Sequence, residues 1–161
     1  MGLRFRQGLV VLLSIWATVA FAQSPAPTSE VVTVTLRNVG SSAWVVTAVA
    51  GAEGVAELNV ENTPITLTTG QRYRFVNLGT LRIHPLALRG RDGEPLLNQR
   101  PQDRPFETDP AVEFSADDEG VSFTLTETLA AQLATYYCTA HPAPLMEGPL
   151  EVASPYGPQH L

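Results

Sequence analysis

Short stretches in which apolar and polar residues alternate recur along this chain, punctuated by glycine, proline and asparagine. Arg72-Tyr73-Arg74-Phe75-Val76 and Val121-Ser122-Phe123-Thr124-Leu125-Thr126 show the period most clearly. A period of two puts every apolar side chain on one face of an extended strand, so each of these should bury one face. Runs rich in Val, Thr, Ile, Phe and Tyr at 31–37, 43–50, 55–60, 65–68, 72–77, 82–88, 121–126, 135–139 and 150–152 predict strands at the spacing of an antiparallel β-sandwich. No long helical stripe competes. Residues 127–134, with Leu129 and Leu133 four apart, predict one or two turns of helix. The stretch 90–110, rich in proline and charge, reads as a long surface excursion. No internal repeat is visible.

The amino terminus has a different pattern. Arg4 and Arg6 precede an apolar run over 9–22 that closes on Ala20-Phe21-Ala22. The run is shorter than the roughly 20 apolar residues that cross a bilayer, and its small-x-small end fits a secretory cleavage site. Residues 1–22 are therefore expected to be a signal peptide, 23–29 a flexible leader of Ser, Pro, Ala and Thr, 30–153 one folded domain and 154–161 a loose tail. The expected location is periplasmic or extracellular, with membrane attachment only if the apolar segment is retained. No cysteine follows the run, which excludes lipoprotein anchoring, and no twin arginine is present, which implies export unfolded and any metal acquired outside.

Cleavage would leave 139 of the 161 residues, with eight basic against sixteen acidic side chains and a formal charge of −8. That charge argues against nucleic acid as a partner. The only cysteine is Cys138, so no intramolecular disulfide exists, and a lone cysteine in an exported protein is an intermolecular bridge, a reactive thiol or a metal ligand.

Its neighbours decide. Cys138, His141 and Met146 form Cys-x-x-His-x-x-x-x-Met between two expected strands, and a loop closing a strand pair can bring three side chains to one point. Thiolate, imidazole and thioether are together a soft donor set suited to copper. His84, in Arg82-Ile83-His84-Pro85-Leu86, is the other histidine of the expected domain, while His160 lies in the tail. One Cys, one Met and two His are the complete inventory of a two-His, one-Cys site with a weak axial Met. Zinc fits less well, because Met is a poor zinc ligand and a second Cys or third His is missing. Haem c attachment needs Cys-x-x-Cys-His. A copper oxidase or nitrite reductase needs further histidines for a second centre, and a Cys/His hydrolase leaves Met146 without a role.

At these residues the chain resembles the cupredoxins, in particular the plastocyanin and pseudoazurin branch. The spacing of the Cys138–Met146 loop, Phe75-Val76-Asn77 ahead of His84, the tyrosine before Cys138, and Met146-Glu147-Gly148-Pro149-Leu150-Glu151-Val152 carry the likeness. It spans roughly 64–152 and is weaker over 90–110. The resemblance implies a Greek-key β-sandwich with one type 1 copper at one end, bound by His84, Cys138, His141 and Met146. It implies a monomeric electron carrier rather than an enzyme, exchanging electrons with redox partner proteins such as a cytochrome. The alternative is a copper carrier or scavenger using the same ligands without a redox partner. The resemblance also implies that His141 reaches solvent inside an apolar rim of Pro142, Ala143, Pro144 and Leu145, and that Tyr137 is a second port. Asp117-Asp118-Glu119 is read as a charged turn with no partner, the alternative being that it steers a basic partner. One departure stands out. The family usually has Asn after the first His, tying that strand to the Cys loop, and here the residue is Pro85, which cannot donate to Thr139.

Overall fold

The computed structural model describes residues 30–153. The expected signal peptide, leader and tail, with His160, lie outside the described residues. Ten strands and two short helices follow one another as β1 (Val32–Val39), β2 (Ala43–Ala50), β3 (Ile65–Leu67), β4 (Arg72–Asn77), β5 (Leu86–Gly90), β6 (Pro95–Asn98), α1 (Pro105–Thr108), β7 (Ser115–Asp117), β8 (Gly120–Thr124), α2 (Glu127–Gln132), β9 (Leu133–Cys138) and β10 (Glu147–Val152) among the described residues. None of these helices is long and apolar enough to cross a membrane.

The strands form two five-stranded sheets, ordered β2-β1-β4-β8-β7 and β3-β10-β9-β5-β6. Alternation creates the layer between them. Val32, Val34 and Leu36 of β1, Tyr73 and Phe75 of β4, and Phe123 of β8 meet Leu86 and Leu88 of β5, Tyr136 of β9 and Leu150 of β10 in one buried cluster. Each such side chain, fully buried, stabilises by about 1.5–3 kcal/mol. Tyr73 and Phe123 stack with centroids 5.7 Å apart, and Phe75 packs edge-on to Phe123 at 5.6 Å.

The expectation of a wholly antiparallel sandwich needs correction. The pairs β1–β4 and β3–β10 are parallel, so both sheets are mixed. Period-two patterning selects a face but carries no information on strand direction. The expected strand at 55–60 reduces to one bridge, Ala56 to Ile65, because Asn59 and Asn62 take positive φ (60° and 51°) and turn the chain back on β2. The expected strand at 82–88 begins only at Leu86: Thr80 has φ of 67°, and Ile83 and His84 donate to its carbonyl, so His84 sits in a turn. The stretch 90–110 contains β6 and α1, and buries Asn98 and Gln99 beside the turn that carries His84.

The inward faces change character at one end of the sandwich. Two residues past Leu36 the β1 alternation reaches Asn38, two past Phe75 the β4 face ends on Asn77, and two past Tyr136 the β9 face ends on Cys138. Apolar strands thus terminate in polar side chains at one place.

Candidate metal centre

Cys138 closes β9 and is fully buried. Its backbone N–H donates to the Met146 carbonyl at 3.0 Å. The antiparallel register that pairs Tyr137 with Glu147 and Tyr136 with Gly148 therefore continues to Cys138 and Met146. Between them the chain turns through His141, whose N–H points to the Cys138 carbonyl at 3.4 Å, and through a turn in which Leu145 donates to Pro142. Met146 has a positive φ of 50° and donates to the Ser42 carbonyl at 3.1 Å, which fastens the loop to the start of β2.

The Cys138 Sγ lies 3.3 Å from Nδ1 of His141 and 3.9 Å from Nδ1 of His84. The two imidazoles stack at 4.9 Å with 22° between their planes. His84, Cys138 and His141 thus form a group that can hold a metal ion. A metal bonded to sulfur at about 2.3 Å and to nitrogen at about 2.0–2.1 Å keeps such donors within about 4.4 Å of each other. Both S···N separations satisfy that limit. Met146 is buried in the same cluster as Cys138.

Burial separates the two histidines. His84 is 7% exposed, with the fully buried Trp44 edge-on at 6.2 Å, while His141 is half-buried and reaches the surface. Burial, then the nearby His141 charge, pulls the His84 pKa down and favours the neutral imidazole that ligates metals. Burial pushes the Cys138 thiol up, opposed by backbone N–H groups of Ala140 and His141 and by the charge of Arg100. A metal held by these donors would have to displace the thiol proton. On the far side of the His84 ring, Nε2 lies 3.3 Å from the Asn38 side-chain amide. A partner there fixes which ring nitrogen faces the sulfur.

The four sequence-derived residues fall as follows. His84, Cys138 and His141 are brought together directly, and Met146 is placed opposite Cys138 across the loop. Pro142, Ala143, Pro144 and Leu145 are all exposed around His141. Tyr137 differs from the open port expected of it. It is 6% exposed because the Arg89 guanidinium covers its ring at 3.9 Å and pairs with Glu147 at 3.3 Å, which also accepts from Thr135 at 2.7 Å. Asp117 binds Arg74 at 2.7 Å, with Glu119 4.0 Å from the same guanidinium, so that turn is partly neutralised within the fold. Sequence reasoning missed Asn38 and Gln99. Asn38 was findable as the polar continuation of an apolar face, whereas Gln99 carried no signal.

Comparison with protein-family models, curated proteins and solved structures finds no match for this chain.

Proposed function

We propose that this chain is an exported, monomeric blue copper protein of cupredoxin type, with a Greek-key sandwich holding one copper on His84, Cys138, His141 and Met146, and that it carries electrons rather than catalysing a reaction. The observation that carries this reading is the convergence of two Nδ1 atoms on the single buried thiol, with the only methionine of residues 30–153 opposite it. Thiolate with thioether favours copper over zinc, calcium or magnesium. When bound, copper supplies a one-electron couple.

The chain's own residues supply the rest. Cys138 and Met146 are fixed to each other by a backbone bond and to β2 through Ser42, which supports a site that rearranges little between charge states. Trp44 and Asn38 hold the His84 ring and exclude water from its face. His141 reaches the surface inside an apolar rim, which supports electron exchange there with a docked redox protein such as a cytochrome. The covering of Tyr137 by Arg89 argues against a second port as long as that pair stays closed.

Adding Cu(II) to the purified domain and recording its visible spectrum tests the reading. An intense thiolate-to-copper band that disappears in Cys138→Ser is the expected result, and retained colour in that variant sinks it. Fast oxidation by a cytochrome, with copper kept through dialysis against a weak chelator, separates electron carriage from copper carriage.

A further inference from the structure

Gln99 follows β6, far in sequence from the Cys138–Met146 loop, and is 2% exposed. Its side-chain amide is saturated. Oε1 accepts from the Asn77 amide at 2.8 Å and from the Leu86 N–H at 3.1 Å, while Nε2 donates to the carbonyls of Asp117 at 3.0 Å and Asp118 at 3.3 Å. Turning the amide over would set its two N–H groups against two other donors, so one orientation alone is allowed. Asn77, itself buried, donates its second N–H to the His84 carbonyl at 2.7 Å and accepts from Gly79 N–H at 2.8 Å. The polar groups on either side of Pro85, the His84 carbonyl and the Leu86 N–H, therefore both end on this amide pair. Pro85 has no N–H of its own to anchor the turn. The next residue, Arg100, donates to the carbonyls of Leu81 at 3.0 Å and Arg82 at 3.4 Å, holding the same turn from its other end.

We infer that Gln99 is a positioning residue that holds His84 in its metal-facing orientation, through Asn77 on one side of Pro85 and Leu86 on the other. This rests on His84 acting as a metal ligand. Without the Gln99 amide, the Leu86 N–H and one Asn77 N–H become buried donors with no acceptor, and the turn carrying His84 must move to satisfy them. The stretch 90–110 thereby gains a purpose, to brace the turn that carries His84 from the side away from the Cys138 loop.

The test uses Gln99→Met, which keeps side-chain length and removes both amide functions, with Val112→Ala as a control in the fully buried core. In the metal-free domain, the Leu86 amide should exchange with deuterium on the order of ten times faster in Gln99→Met while the Phe123 amide is unchanged. In the copper-loaded domain, copper release should quicken by about ten- to a hundred-fold, as when a group orienting a metal-bound histidine is lost, with a displaced visible band. Val112→Ala should leave both the band and the release rate near wild type. Unchanged Leu86 exchange and copper release in Gln99→Met overturn the inference. If that variant does not fold, a Leu86 amide that exchanges as freely in wild type as an exposed turn overturns it alone. If wild type binds no copper, the metal reading fails separately, and Leu86 exchange still decides whether Gln99 holds the turn.

Discussion

Thr139 is exposed and its hydroxyl makes no hydrogen bond among the described residues, but its backbone N–H donates to the Pro85 carbonyl at 3.0 Å. The tie between the first-histidine strand and the Cys loop is thus made by backbone. Thr139→Val leaves that bond intact and should cost less than about 0.5 kcal/mol in the metal-free domain, below the usual net value of a hydrogen bond. A denaturant titration measures it, and a loss well above about 1 kcal/mol contradicts the assignment. Asp117 makes a complementary case. The hydrogen bond from Arg74 holds its carboxyl below the ordinary carboxylate range, more than burial raises it. A depressed native pKa means that the stabilisation is present above the unfolded value of about 4 and is lost as pH falls through the native one. Asp117→Asn should therefore be less stable than wild type at pH 7, and the gap should close in acid. The gap should be small, because the carboxylate is 57% exposed. Denaturation midpoints that differ equally at neutral and acid pH count against the Arg74 pairing.

At the scale of strands, β9 and β10 must approach closely enough for Cys138 and Met146 to face one another. Gly148 opposes Tyr136 in that pair, and a Cβ built on it would stand 2.3 Å from the tyrosine ring. The ring cannot easily withdraw, since its hydroxyl donates to the buried Thr63 carbonyl at 2.7 Å. Gly148→Ala should cost about 1–3 kcal/mol by overpacking. Chemical denaturation reads the loss, and a value near zero would show that the Tyr136 ring moves freely. Gly120 meets a similar limit, where an added Cβ would overlap the Phe75 carbonyl between β4 and β8.

For the whole molecule, a metal that binds only the native state stabilises it by mass action. At a hundredfold excess over Kd the gain is about 2.7 kcal/mol, a rise in Tm of roughly 5–15 °C for a domain of this size. His84→Ala and His141→Ala should lose most of that rise, and His160→Ala should keep it. Scanning calorimetry with and without Cu(II) makes the comparison. An undiminished copper response in both of the first two variants would falsify the ligand set.

The His84, Cys138 and His141 group and most of the strands were legible in the amino-acid sequence by itself. Alternation needs only local backbone geometry, so β4 and β8 fall where the patterns of 72–76 and 121–126 put them. A chain with one Cys, and one Met and two His within residues 30–153, leaves few ways to assemble a soft metal site. Tertiary structure alone decided that β1 and β4 run parallel, that His84 lies in a turn, and that Arg89 closes over Tyr137. It also decided that Asn38 and Asn77 bond the first histidine directly and that Gln99, which carried no signal in the sequence, holds Asn77 in turn. Strand direction, side-chain partners and burial depend on contacts between residues distant along the chain. A local pattern of polar and apolar positions does not encode them.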